Sequence, residues 1–401
     1  MSVAKEDFQV TAIDESVDRT QPDPSGRRAC DRKTNVLVVG QTPPPMVGQW
    51  IMIEKILNAE YQRLNLFHVR MAFSDNVEQI GGVTVGKIFH LFSVIAKIWI
   101  ARFRHRAEVL YYPPAGPNLV PVLRDIIILA STRWLFRGVA FHFHAGGVSS
   151  IYTRLPWLIK PLFKLAYNNA DVGIQLSNLN PPDSEALSCR KHFVIPNGID
   201  DVFDEFSNED ARHQVPEILF VGMIRETKGV FVLLEACHIL RSRGIEFKLK
   251  LVGGLDSNQT QEKVDRLIDQ YELRDQVELT GILRGDAKWQ AYASADIFCF
   301  PTHYESESFG LVVIEAMQFE LPVVATDWRA VPEIVRDGET GILVPVHSAQ
   351  DLASALAKLI QDPELAETMG KYGREVFLER FTNAPFTAQL EEALCQAIGD
   401  S

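Results

Sequence analysis

Ala295-Asp296-Ile297-Phe298-Cys299-Phe300-Pro301 is a short apolar run closed by proline, followed by Glu307-Ser308-Phe309-Gly310-Leu311-Val312-Val313-Ile314-Glu315-Ala316-Met317. The first piece reads as a buried parallel strand, the second as a polar loop entering an apolar helix. Glu307 lies in the loop, and Glu315 lies one to two turns into the helix. A strand, a loop and a helix N-terminus with a carboxylate on each side suit a sugar-nucleotide site. Helix-start N–H groups take an anion, and a carboxylate accepts two hydroxyl protons at once.

Working outward, Glu217–Gly222, Phe247–Val252, Val277–Leu279, Ile297–Phe300, Pro322–Ala325 and Gly341–Val344 read as strands with helices between them. An earlier series runs through Asn35–Gly40, Glu108–Tyr112, Val139–His144, Val172–Leu176 and His192–Ile195. Alternating β and α elements predict doubly wound, mostly parallel sheets, an α/β fold of two similar Rossmann-like domains. The expected boundaries are a disordered tail at 1–34, a first domain at 35–203 and a second at 204–385. The acidic stretch Asp200-Asp201-Val202-Phe203-Asp204-Glu205 begins the join.

The 401 residues carry 40 Lys and Arg against 52 Asp and Glu, a net charge of -12 that argues against general nucleic-acid binding. The segment from Lys87 to Ala170 is the exception, with eleven Lys or Arg, two Asp or Glu and a balance of +9. Gly86 to Arg106 reads as a cationic amphipathic helix. Ile88, Leu91, Phe92, Ile95, Trp99 and Phe103 stand against Lys87, Lys97, Arg102, Arg104 and Arg106. Such a helix can lie on an anionic bilayer; the plainer reading is a core-packed helix with a solvated basic side. The five cysteines show no metal spacing and fit a reducing compartment. The first 34 residues have no apolar signal core.

Three further stretches end strands. Phe220-Val221-Gly222-Met223-Ile224-Arg225-Glu226-Thr227-Lys228-Gly229 puts two cations at a crevice, where a diphosphate needs charge as its bond to a sugar breaks. Ala325-Thr326-Asp327-Trp328-Arg329-Ala330-Val331-Pro332-Glu333 offers Thr326 as a cap and N–H groups for phosphate. Pro196-Asn197-Gly198-Ile199-Asp200 is a turn at the crossing between domains.

Together with Leu251-Val252-Gly253-Gly254 and Thr280-Gly281, these motifs resemble the family 4 retaining glycosyltransferases of GT-B fold, of the bacterial cell-surface polysaccharide type. The resemblance covers 35 to about 395. It implies two domains facing a cleft, with donor bound mainly by the second, and a final helix at about 386–401 crossing back to the first. It implies that Glu315 holds the nucleotide ribose and Glu307 the donor-sugar hydroxyls. Phe309, Gly310 and Leu311 would present N–H groups, with Gly222 at the strand end among the donor-binding residues. Lys228 matches the diphosphate lysine, and Gly48 the glycine that admits the donor to the first domain. His144, in Phe141-His142-Phe143-His144-Ala145-Gly146-Gly147, resembles the active-site histidine, with His142 its rival.

Three departures stand out. Met223 replaces the usual arginine, for which Arg225 is the candidate substitute. Glu320 replaces a glycine, and Arg329-Ala330 replaces a glycine pair.

The function implied is transfer, with retention, of a sugar from a nucleotide-diphosphate sugar to a carbohydrate, lipid-linked acceptor in surface polysaccharide or glycolipid synthesis. His144, Lys228, Arg225 and Glu307 are the candidate catalytic groups. No metal or other cofactor is expected, since the chain contains no Asp-x-Asp. The expected location is cytoplasmic, peripheral on the inner face of the plasma membrane. The alternatives are a sugar-nucleotide epimerase of similar fold and a catalytically degenerate GT-B scaffold module.

Overall fold

Buried β-branched runs build two sheets of six parallel strands each. The computed structural model describes residues 33–44, 48–71, 85–206 and 214–398. The first sheet contains β1 (Thr34–Gly40), β2 (Leu64–Arg70), β3 (Val109–Tyr112), β4 (Gly138–Phe143), β5 (Val172–Gln175) and β6 (Lys191–Val194), in the order β2-β1-β3-β4-β5-β6. The second contains β7 (Glu217–Val221), β8 (Lys248–Val252), β9 (Val277–Gly281), β10 (Ile297–Phe300), β11 (Val323–Thr326) and β12 (Gly341–Val344), in the order β12-β11-β10-β7-β8-β9. Every residue of β3, β4, β5, β10 and β11 is buried, because helices cover both faces.

The first domain's helices are α1 (Gly48–Asn58), α2 (Val85–Arg104), α3 (Leu119–Thr132), α4 (Lys160–Tyr167) and the short α5 (Asp183–Ala186). Then come α6 (Phe203–Phe206), α7 (Val230–Ser242), α8 (Asn258–Gln270), α9 (Asp286–Ala293) and α10 (Leu311–Gln318). The last are α11 (Val331–Ile334), α12 (Ala349–Gln361), α13 (Pro363–Arg380) and α14 (Asn383–Cys395). Helices α2, α3 and α4 pack on one face of the first sheet against Leu37, Leu110, Tyr112 and Phe141. On the other face α1 is joined by α14, whose Phe386, Leu390 and Leu394 pack against Val36, Val38 and Ile174. In the second domain, α7, α8 and α12 cover one face, and α10 and α13 the other.

Strand order reverses between β1 and β3 in the first sheet and between β7 and β10 in the second. At such a point the loops leaving neighbouring strands diverge and open a crevice at the strands' C-terminal ends. The loops after β7 and β10 are the ones that carry Lys228 and Glu307.

Several expectations change. Residues 1–32 of the tail, Cys30, Pro45-Met46-Val47 of the proline-rich loop, 207–213 of the join and 399–401 lie outside the described residues, as do the side chains of Lys87 and Ile88. Strand β2 was not anticipated. Gly48, expected in a loop, is the first residue of α1. The core-facing stripe of α2 is Leu91, Val94 and Ile98, while Phe92, Trp99 and Phe103 point outward. Thr326 caps no helix: it ends β11, and its hydroxyl donates to the Thr302 carbonyl. α11 begins without a side-chain cap.

The two glycine departures keep a glycine-like backbone. Glu320 has φ 58° and Arg329 φ 53°. A side chain in this left-handed region costs about 1–2 kcal/mol. Glycine returns part of that gain by making the unfolded chain freer. Glu320→Gly should therefore stabilise the fold by roughly 0.5–1 kcal/mol in urea unfolding. A loss of stability would show that contacts of the Glu320 side chain outweigh its backbone strain.

Candidate active site

Lys228 and Glu307 meet at the crevice of the second sheet. Lys228 follows β7 and Glu307 follows β10, and their side chains form a largely buried ion pair. The Lys228 ammonium also lies 5.3 Å from the ring centres of both Phe300 and Tyr304. The Thr302 hydroxyl donates to the same Glu307 oxygen at 3.3 Å. Gly229 fixes the lysine's turn, with φ 78° and a position where any Cβ would overlap the Pro301 carbonyl. Arg225 stands beside them, 5.1 Å from the Tyr304 ring centre and 3.9 Å from Asp256. Gly222 closes β7, and its N–H donates to Val252 at 2.9 Å. Met223 is 41% exposed and leaves no cation at its position.

Glu315, in the second turn of α10, is also compensated. One oxygen accepts from Lys288 Nζ at 2.7 Å and the other from the Tyr292 hydroxyl at 2.8 Å. Gly310 adopts φ 86° as the residue before α10, and the helix opens at Leu311 with its first N–H groups free of intrahelical acceptors. Phe309 is buried edge-on to Phe381, with ring centres 5.9 Å apart. Leu311 packs against the cores of both domains. A Cβ on Gly48 would lie 3.4 Å from Leu311 Cδ1, so this glycine does sit where the first domain approaches the start of α10.

The loop at 307–310 is tied across the cleft. The Ser308 hydroxyl donates to the His144 carbonyl, and Asn180 Nδ2 donates to the Ser308 carbonyl at 2.6 Å. The Glu333 carboxylate accepts from the Asn178 N–H at 3.0 and 3.1 Å. His144 is therefore held beside the glutamate loop. His142 and His144 project from the same side of β4 and its extension, with ring centres 3.9 Å apart. The Tyr111 hydroxyl lies 2.8 Å from His142 Nδ1 and 3.3 Å from His144 Nε2. His142 is fully buried, whereas His144 keeps 6% exposure at the strand end, which makes it the better placed of the two. Burial holds His142 well below the ordinary histidine range, with the neighbouring His144 adding to the effect, and burial pushes His144 down to about 3. Both rings are thus neutral at pH 7 and can exchange hydrogen bonds but bring no charge. Asp183 fixes the turn after His144 by accepting from the Gly147 N–H at 2.5 Å and the Ser149 N–H at 2.8 Å.

Lys288, Tyr292, Tyr304, Ser308 and Asp183 belong to this constellation and were not singled out from sequence. Arg329 lies 5.4 Å from the Trp328 ring centre, and its buried Nε has no hydrogen-bond partner among the described residues. A separate interdomain cavity of about 340 Å³ is lined by Leu176, Val194, Glu333, Arg380 and Phe381 and shares only Phe309 with the candidate set. Among the described residues no three His, Cys, Asp or Glu groups gather as a metal site.

Two doubly wound sheets facing one cleft, with cations and carboxylates at the second sheet's switch point, define the GT-B fold of glycosyltransferases. Residues 201–376 match the family described as glycosyl transferases group 1. The chain is 26% identical over 293 residues to a putative colanic acid biosynthesis glycosyltransferase, WcaL, of Salmonella typhimurium, covering 71% of this chain and 69% of that protein. It is 34% identical over 225 residues to a phosphatidyl-myo-inositol mannosyltransferase of Mycobacterium leprae, 55% of either chain. The crystal structure of Anabaena Alr3699/HepE in complex with UDP superposes with a TM-score of 0.69 at 18% identity, covering 90% of this chain and 100% of that one.

The buried histidines set a pH dependence. Unfolded histidine titrates near 6.5, above both folded values, so the unfolded chain holds more protons once the pH falls below about 6.5. Stability is complete above that pH and declines on acidification at about 1.4 kcal/mol per pH unit for each histidine. Urea unfolding between pH 7 and pH 5 should show this slope, and His144→Gln should remove one histidine's share. An unchanged slope in the folded variant would contradict a neutral, buried His144.

Proposed function

We propose that the protein is a retaining glycosyltransferase of the family 4 type. It moves a sugar from a nucleotide-diphosphate sugar to a carbohydrate acceptor carried on a lipid, in the synthesis of surface polysaccharide or glycolipid. The observation that carries this reading is the Ser308–His144 bond. It ties the Glu307 loop and Lys228, on the donor-binding side, to the histidine strand of the other domain. The names of the WcaL and mannosyltransferase relatives support a saccharide product and a lipid-borne acceptor. The UDP complex of the Anabaena protein supports a nucleotide donor.

In this reading the nucleotide ribose takes the place of Lys288 and Tyr292 on Glu315. The diphosphate takes Lys228 from Glu307, and Glu307 then accepts hydroxyl protons of the sugar. Arg225, Gly222, the N–H groups of Phe309 and Gly310 before α10 and that of Leu311 at its start complete the donor cradle, and Gly48 leaves room on the first domain. Neutral His144 hydrogen-bonds near the transferred sugar. The bond from the anomeric carbon to phosphate breaks while the acceptor oxygen bonds on the same face. The departing phosphate oxygen takes the acceptor's proton. Lys228 and Arg225 meet the charge that grows on that phosphate. This assigns no step to a metal. Epimerisation is disfavoured by the relatives, which are named as glycosyltransferases. Exposed Met223 favours a second reading, a degenerate module that binds donor without turning it over.

Donor-dependent release of nucleoside diphosphate, screened over uridine, guanosine and adenosine diphosphate sugars, decides between transfer and the degenerate module. Lys228→Ala should lower turnover on the order of a hundredfold or more. A variant within threefold of wild type would pass the role to Arg225. Glu315→Ala should weaken donor binding by roughly 1.5–3 kcal/mol, and unchanged affinity in a folded variant would remove Glu315 from the ribose site. Turnover should survive EDTA, and its loss with rescue by magnesium or manganese would overturn the metal-free reading.

A further inference from the structure

The outer face of the first domain carries a surface that the donor site does not use. Among the described residues, twenty large hydrophobic side chains are exposed, and thirteen of them fall between Phe89 and Leu165. Isolated exposed apolar groups are ordinary, but a concentration of them marks a contact surface. Phe89 is 72% exposed, Phe103 63% and Trp157 77%.

Those on α2, the turn at 133–135 and α4 are joined to one another. The Trp99 ring on α2 meets Trp134 edge-on, with centres 5.2 Å apart. Arg102 Nε donates to the Leu135 carbonyl at 2.8 Å. Arg133 donates to the carbonyls of Leu165 and Ala166 at 3.1 and 2.8 Å. Helix α2, the turn at 133–135 and α4 are thereby braced side by side, while their inward stripes fill the core beneath. Exposed Lys97 and Arg104 share α2 with Phe89, Phe92, Trp99 and Phe103, and exposed Lys164 shares α4 with Leu162 and Leu165. The wider segment from Lys87 to Ala170 has a balance of +9 in a chain whose net charge is -12.

We propose that this face docks on an anionic lipid surface. Aromatic and aliphatic groups among lysines and arginines match the two layers of a bilayer interface, with acyl chains below and phosphates above. The charge distribution selects the occupant. A second copy presenting the same face would bring like charges together, whereas anionic lipid complements them. The acidic remainder of the chain is repelled by the same lipid, so binding also orients the molecule with α2 and α4 toward the membrane. Among the described residues no helix is long and apolar enough to cross a membrane, and docking here requires none. The inference stands apart from the transfer reading, since vesicle binding needs neither donor nor acceptor.

The test is co-sedimentation of the whole protein with vesicles of phosphatidylcholine alone and of phosphatidylcholine mixed with phosphatidylglycerol. Wild type should bind only the mixed vesicles and should retain part of that binding in high salt. Lys97→Gln, Arg104→Gln and Lys164→Gln together should weaken binding at low salt on the order of a hundredfold. Phe89→Ser, Phe103→Ser and Trp157→Ser together should abolish the salt-resistant part. All six side chains lie at the surface, and circular dichroism checks that both variants fold. Wild type that ignores both vesicles, or binds both equally, overturns the proposal. So does a wild-type dimer that the aromatic substitutions disperse, which would make the face a contact between copies of this chain.

Discussion

The Lys228–Glu307 ion pair is the interaction on which the site depends. The two residues leave neighbouring strands at the reversal point of the second sheet, and both charges are largely removed from water. Desolvating one charge alone is costly, and removing either partner strands the other. The pair therefore holds the loops after β7 and β10 together when no ligand is bound. Gly229 against Pro301, and the Phe300 and Tyr304 rings around the ammonium, leave the lysine little freedom. In the proposed reading, a diphosphate that captured Lys228 would also free Glu307, so one exchange of partners would prepare the cation for phosphate and the carboxylate for sugar hydroxyls.

The same arrangement recurs one loop away. Glu315 is held by Lys288 and Tyr292, which the nucleotide ribose would displace in the proposed reading. Both carboxylates are thus held in place by lysines of their own domain. The neutral histidine pair on the other wall contributes shape and hydrogen bonding instead. The cross-cleft bonds from Ser308, Asn180 and Asn178 set the separation of the two walls.

The parts legible in the sequence were those with a local signal. Continuous apolar runs ending in Gly or Pro marked the buried strands, and the Glu307 to Glu315 spacing survived as a loop followed by the second turn of α10. Strand β2 escaped because it is an edge strand with mixed exposure, Leu64 and Val69 buried and Asn65 and His68 exposed. On α2, two apolar stripes share one helix, and periodicity alone does not say which meets the core. The left-handed backbone at Glu320 and Arg329 was hidden because neither residue announces it as glycine would. Lys288 sits 27 positions from Glu315, and Ser308 sits 164 from His144. No local pattern reports such pairings, which exist only after the sheets have formed and the domains have met.

The most direct test of the account is a crystal structure of the protein with the nucleoside diphosphate that it binds. The account predicts the diphosphate against Lys228 and Arg225 and the ribose hydroxyls on Glu315, with the Lys228–Glu307 and Lys288–Glu315 pairs opened. A nucleotide seated instead in the cavity beside Glu333 and Arg380, with both ion pairs intact, would contradict it.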